Sequence, residues 1–187
     1  MTEVRLAHIR TAFGPVHLAA SPAGLLAIHL PAPGTDAAAL LRAEVLELVP
    51  DARMRAGHLP EATRQLREYL AGQRRRFTLP LDLRARGFVR RVLSALREIP
   101  YGQTRSYGQV AEQIGRPGAA RAVGSACGAN PLALVIPCHR VVAARGLGGF
   151  GGSGRATGER RALKAALLAL EGVDLAPAGP PRRLGWA

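Results

Sequence analysis

Residues 106–128 read Ser106-Tyr107-Gly108-Gln109-Val110-Ala111-Glu112-Gln113-Ile114-Gly115-Arg116-Pro117-Gly118-Ala119-Ala120-Arg121-Ala122-Val123-Gly124-Ser125-Ala126-Cys127-Gly128. Ser106 and Gln109 form a capping-box pair that opens a helix. Val110, Ala111 and Ile114 give that helix an apolar face, and Gly115 closes it. Arg116-Pro117-Gly118 is a turn, and Ala119–Cys127 is a second short helix ended by Gly128. The pattern predicts a helix-turn-helix. The second helix is thin: Ala119, Ala120, Ala122, Gly124, Ser125 and Ala126 are all small, and Arg121 is its one large polar side chain. Such a helix is either packed tightly inside the protein with one solvated Arg, or enters a nucleic-acid groove closely with Arg121 as a wedge.

Working outward, Phe88, Val92, Leu96 and Ile99 mark an amphipathic helix ended by Pro100, after a boundary near Arg84-Ala85-Arg86-Gly87. Downstream, Leu134-Val135-Ile136-Pro137 runs into Cys138, Gly146–Gly154 holds six glycines, and a last helix spans about Gly158 to Glu171. Upstream, Val16, Leu18 and Ala20 alternate, Ser21-Pro22-Ala23-Gly24 turns, and Leu26, Ile28 and Leu30 alternate, which reads as a hairpin in a β region over residues 1–34. Asp36–Val49 and Glu61–Ala71 show helical spacing, and Gly72 stops the second. Phe77–Leu83 alternates, but Pro80 restricts it to an edge strand or an extended linker. The expected fold is an α/β N-terminal domain (a small sheet with helices) over 1–86, then a mainly helical C-terminal domain with the helix-turn-helix over 87–172. A flexible tail, 173–187, follows.

The chain has 187 residues, 48% of them apolar and 4% aromatic, so a core of Leu, Val and Ala is available. No apolar run approaches the roughly 20 residues of a membrane span, and the first ten residues have no secretory h-region. Cys127 and Cys138 are the only cysteines, too few for a disulfide framework. Net charge is +13, divided as +4 over residues 1–86 and +9 over 87–187. The basic half suits a polyanion such as nucleic acid. A chain whose only lysine is Lys164 could equally owe its arginines to genome composition.

Ile136-Pro137-Cys138-His139-Arg140-Val141 is the sharpest candidate site. A cysteine beside His and Arg is expected in positive surroundings that favour thiolate; the bland alternative is a buried structural cysteine. Neighbouring residues on a helix point about 100° apart, so coupling of Cys138 to His139 calls for a bridging water. Glu171 falls one turn beyond Leu167, at the edge of the face made by Leu163, Leu167 and Leu170. It either reaches water from the frayed helix end or is held by a buried donor, for which His139 is suited. Cys–His–Glu would then be nucleophile, base and orienting acid. The glycine-rich stretch lacks the Gly-Lys-Ser/Thr ending of a phosphate loop, which rejects a nucleotide triphosphate. His8, His17, His29 and His58 show no metal-ligand spacing with cysteine.

Taken together, Ile99-Pro100-Tyr101-Gly102, Ser106-Tyr107-Gly108-Gln109-Val110-Ala111, Ala120-Arg121-Ala122-Val123-Gly124, Asn130-Pro131 and Ile136-Pro137-Cys138-His139-Arg140-Val141 resemble the O6-alkylguanine-DNA alkyltransferases over about residues 87–172. Phe13-Gly14-Pro15-Val16 and the helices after it look like that family's N-terminal domain. The resemblance implies repair by stoichiometric transfer of an alkyl group from O6-alkylguanine, flipped out of duplex DNA, to Cys138. It implies that Glu171 polarises His139 and that Asn130 holds the turn around the site. Tyr107 would donate to N3 of the base, and the backbone of Val141 and Gly151 would face the base edge beside the aromatic wall of Phe150. Arg121 would fill the gap left by the base, on a helix whose Ala120, Ala122, Gly124 and Ser125 permit close approach. It further implies a monomer whose partner is double-stranded alkylated DNA, with no membrane and no nucleotide cofactor; the missing targeting signals and the need for a reduced thiol point to the cytoplasm. Family members that bind zinc do so through N-terminal cysteines, and none precedes Cys127, so no metal and no cofactor are expected. The chain departs from the family pattern at Phe150, where Tyr is frequent, and in extra residues over Ser153–Gly158. Rival readings are a Cys–His hydrolase, a non-catalytic sensor of alkylated bases, and a plain transcription factor. The first leaves the helix-turn-helix unexplained. The second does not need Cys138, and the third needs a further metal-bearing domain.

Overall fold

Strand β1 (Thr2–Thr11) pairs antiparallel with β2 (Gly14–Ser21), which pairs antiparallel with β3 (Gly24–His29). These strands belong to a computed structural model that describes residues 1–31, 34–149 and 158–173. The expected hairpin is β2–β3, with Ser21 opposite Gly24. Gly24 has φ +140°, and a Cβ there would lie 2.4 Å from the Pro80 carbonyl oxygen, so glycine is required by both backbone and space. Residues around Pro80 run extended beside β3: Leu25 N–H donates to Pro80 O (2.9 Å) and Asp82 N–H to Leu25 O (2.9 Å). This is the extended segment expected from Phe77–Leu83; it is not a regular strand.

Helix α1 (Ala37–Leu48) follows, N-capped by Asp36, whose carboxylate accepts from the N–H groups of Ala38 and Ala39 at 3.0 Å. A cap of this kind is worth about 1 kcal/mol. The chain then enters β4 (Ala52–Ala56), which lies parallel to β1 and gives the order β3-β2-β1-β4. The sequence reading missed β4. Its alternation of Ala52, Met54 and Ala56 with Arg53 and Arg55 is a weak signal, because an edge strand needs little apolar burial. Leu41, Val45 and Val49 close over Val4, Ala19, Leu26 and Ala27 to form the core of this unit. Helix α2 (Pro60–Leu70) packs against β1 and buries Leu66 and Tyr69. The unit comprises Met1–Arg84 together with Pro131–Ala133, where Ile28 N–H donates to Pro131 O at 2.7 Å.

The second unit, from Ala85 onward, is mainly helical. Helix α3 (Gly87–Leu96) buries Val92, Leu93 and Leu96. Helix α4 (Tyr107–Gln113) starts at the expected capping box, with Gln109 N–H to Ser106 Oγ at 3.1 Å and Ser106 N–H to Gln109 Oε1 at 2.7 Å. Helix α5 (Ala120–Gly128) follows a six-residue connection and packs on α3 and α4 through Val123 and Ala126. Two-residue strands β5 (Arg105–Ser106) and β6 (Val141–Val142) pair in parallel, too short to leave a sequence signal. A single 3-10 turn, Cys138–Arg140, precedes β6, and α6 (Gly158–Leu170) packs against that turn. Among the described residues no helix is long and apolar enough to cross a membrane. Phe150, Gly151, most of Ser153–Gly158 and nearly all of the 173–187 tail lie outside the described residues.

Candidate active site

Three short elements of the helical unit meet at Glu171. The Leu163–Leu167 face of α6 packs inward, so the residue following the helix is carried into the interior, where Glu171 is 5% exposed. The 3-10 turn presents His139, fully buried, with Nε2 2.9 Å from Glu171 Oε1. The turn also presents Arg140, whose Nε and Nη2 donate to the same carboxylate at 2.9–3.1 Å. Gly102 N–H adds a further donor at 3.1 Å. Of the two fates open to Glu171, the structure selects capture by a buried donor.

His139 is the partner anticipated from sequence; Arg140 was not. Its Nη1 donates to Ile99 O at 2.6 Å and its guanidinium lies 5.8 Å from the centre of the Tyr101 ring. Tyr101 in turn donates to Leu170 O at 2.9 Å, so the segment 99–102 cradles the end of α6. The signal that could have found this was the Arg itself: a guanidinium beside a buried turn needs a carboxylate, and a bidentate one suits it best.

Cys138 begins the 3-10 turn and is 7% exposed. Asn130, just beyond α5, donates from Nδ2 to Ile136 O at 2.8 Å and so ties the chain on both sides of the turn that delivers the cysteine. Within that turn Leu134 holds φ +71°, an uncommon conformation for a non-glycine residue. The expectation of thiolate-favouring surroundings is corrected here. Burial pushes the Cys138 thiol up, opposed by the Asn130 side chain, the Lys164 charge and local backbone donors. The charge of Arg140 is spent on Glu171. His139 is also held neutral: burial lowers it, Glu171 opposes, and Arg140 and Lys164 push it further down. A neutral imidazole donating Nε2–H to a carboxylate keeps Nδ1 as its basic nitrogen.

Tyr107 opens α4, half-buried, with its hydroxyl donating to Gly149 O at 3.2 Å. Burial raises it to about 12, with Cys127 and Cys138 adding to the rise. Gly148 has φ +71°, and a Cβ on it would meet the Tyr107 ring at 3.0 Å. Val141 is buried, with its carbonyl accepting from Lys164 Nζ at 2.6 Å. On α5, Arg121, Ala122 and Ser125 are exposed, while Ala120 and Gly124 are half-buried. Ser125 Oγ bonds Arg121 O at 3.3 Å, and Gly124 lies against the Tyr107 ring. Thus Cys138, His139, Glu171, Asn130 and Tyr107 belong to one neighbourhood, and Arg121 lies on an exposed helix face. Among the described residues no cluster of three or more His, Cys, Asp or Glu could hold a metal.

Residues 87–173 match the DNA binding domain of 6-O-methylguanine DNA methyltransferase, and residues 4–83 match the ribonuclease-like domain of the same proteins. The chain is also 38% identical to Mycobacterium tuberculosis OGT, in a crystal structure with DNA, at a TM-score of 0.72 covering 90% of this chain and 93% of that one. The chain belongs to the O6-alkylguanine-DNA alkyltransferase family. Among its relatives, the methylated-DNA--protein-cysteine methyltransferase of Mycolicibacterium paratuberculosis is 61% identical over 92 residues, 49% of this chain and 56% of that protein. The one from Mycobacterium bovis is 56% identical over 97 residues, 51% of this chain and 59% of that protein. These matches span less than two thirds of those alkyltransferases.

Proposed function

We propose that the protein repairs DNA by moving the alkyl group of O6-alkylguanine onto its own Cys138, once per molecule. The observation that carries this reading is that His139, which follows Cys138 on one 3-10 turn, is paired with the buried Glu171 at the end of α6. In the transfer, a bond forms between Sγ and the alkyl carbon while the O6–carbon bond breaks in line with it. Glu171 holds the His139 tautomer, so that Nδ1 receives the thiol proton through a bridging water. The guanine that leaves gains a proton in exchange, with Tyr107 donating at N3. Asn130 fixes the turn that presents Cys138. The thioether is stable, so no cofactor is called for.

The lesion must leave the base stack before a thiol can reach it in line, at a cost of a few kcal/mol. Helices α4 and α5 are assigned the helix-turn-helix role, with α5 against the minor groove. Its exposed Ala122 and Ser125 permit close approach, and Arg121 fills the vacated position. The Val141 backbone, with Phe150 and Gly151 beyond the described residues, is assigned to the base edge. The domains are assigned as 1–86, 87–172 and a tail over 173–187. The partner is double-stranded alkylated DNA bound by a monomer, and a free-thiol acceptor suits the reducing cytoplasm.

Intact mass after incubation with a duplex containing O6-methylguanine tests the reading. The expected result is a gain of one methyl per chain, located on the Cys138 peptide and absent in Cys138→Ser. Release of product without a lasting adduct would support a hydrolase, and binding without mass gain a sensor; either overturns the assignment.

A further inference from the structure

Lys164 is the only lysine in the chain and is fully buried, yet the transfer described above gives it no task. Its ammonium has three donors and three backbone acceptors: Val141 O at 2.6 Å, Leu147 O at 2.8 Å and Gly149 O at 2.9 Å. It also stands 5.8 Å from the centre of the Tyr107 ring. The acceptors bracket a segment that begins three residues after Cys138 and carries the carbonyl to which Tyr107 donates. A lysine buried for stability alone would be a poor choice, because desolvating an ammonium costs more than apolar packing of the same volume.

We infer that Lys164 is a positioning residue for the transfer. By this account its ammonium both ties residues 141–149 to α6 and supplies the positive charge toward which the Cys138 sulfur ionises. The inference rests on Cys138 being the acceptor.

Among the described residues, the two basic side chains that follow Cys138 on its turn are already committed. Arg140 is neutralised by Glu171, and His139 is neutral. The Lys164 charge acts on Cys138 in the direction that favours thiolate. Among the described residues, the charged and titratable groups that bear on Lys164 are Cys138 and His139 from the 3-10 turn, Cys127 from α5 and Arg161 from α6; Tyr107 of α4 lies under its ammonium. Burial lowers Lys164 to about 8, with the two thiols opposing, so the group remains mostly charged at neutral pH. Cys127 is held neutral, pushed by burial to about 12, and does not compete for the cation.

The experiment measures the rate of Cys138 carbamidomethylation by iodoacetamide against pH, read on the Cys138 peptide, in wild type, Lys164→Met and Lys164→Arg. In Lys164→Met the midpoint should rise by about one unit and the rate at pH 7 fall about tenfold. Lys164→Arg should stay within about half a unit of wild type, because it keeps the charge. An unchanged midpoint in Lys164→Met, or equal shifts in both variants, overturns the inference. If Lys164→Met does not fold, wild type labelled with 13C at lysine Cε decides, since it gives one resonance. A charged Lys164 at pH 7 supports the inference, and a neutral one overturns it. Methyl transfer by wild type is scored separately by mass, so failure of the acceptor role is distinguishable from failure of the Lys164 role.

Discussion

The two units keep their charges in different places. In the sheet unit, ion pairs lie at the surface: Arg64 bridges Glu61 and Glu68 along α2, Arg74 meets Glu68, and Arg84 meets Asp82. In the helical unit, His139, Arg140, Lys164 and Glu171 are all buried. Solvated pairs contribute little, and a buried pair does not outperform apolar packing of equal volume. Stability therefore explains neither arrangement. The surface pairs are what a soluble helix carries at little cost. The buried set is retained against its desolvation cost, as the transfer proposed for the helical unit would require.

The strongest way to break this contrast is Glu171→Gln. The amide can still accept from His139, but it cannot balance Arg140, and a lone buried guanidinium remains. Removing one partner of a buried pair costs about 3–5 kcal/mol, to be read from urea unfolding. Methyl transfer should slow by about 10²–10⁴-fold as the base loses its orienting acid. A variant that unfolds like wild type and transfers at the same rate would place Glu171 on a level with the surface carboxylates.

The helical unit was also the more legible in sequence, for a physical reason. Side-chain chemistry leaves marks: Ser106 and Gln109 announced a cap, and the Leu163–Leu167 spacing placed Glu171 at the edge of an inward face. Backbone partners leave none. The carbonyls that hold Lys164 belong to Val141, Leu147 and Gly149, and no side-chain pattern encodes a carbonyl brought close by chain closure. For the same reason Arg140 read as a source of positive charge for Cys138, when tertiary contact had given that charge to Glu171. In the sheet unit, the β2–β3 hairpin was legible from alternation and a Pro-Ala-Gly turn. Strand β4 was not, because its pairing with β1 is non-local and its face is half polar.

Acid sharpens the contrast further. Burial lowers both His139 and, less completely surrounded, His17 of the sheet unit from 6.5. Their unfolded forms therefore take up protons first as pH falls through 6.5. Stability contributed by each neutral imidazole is fully present above 6.5 and is lost progressively toward the folded-state value. Urea midpoints should fall between pH 7.5 and pH 5.5. His139→Gln should flatten that fall more than His17→Gln, because His139 is wholly buried and His17 is not. Equal flattening by the two variants would mean that depth of burial does not separate the units.

The smallest effect belongs to Arg64→Ala. Arg64 is half exposed, with a side-chain relative exposure of 53%, and bonds Glu61 Oε1 at 2.7 Å and Glu68 Oε1 at 2.5 Å. Both bonds join neighbours on one helix face, and in the second the base precedes the acid, the weaker order. Water already solvates all three groups, so truncation strands no buried charge. Glu61 also keeps Gln65 as a donor (2.5 Å), and Glu68 keeps Arg74 (2.7 Å). The expected loss in the unfolding midpoint is about a tenth of that for Glu171→Gln, shrinks further in high salt, and leaves methyl transfer unchanged. A loss comparable to Glu171→Gln and insensitive to salt would mean that α2 relies on its ion pairs as the helical unit relies on its buried ones. Charge placement would then no longer tell the scaffold from the site.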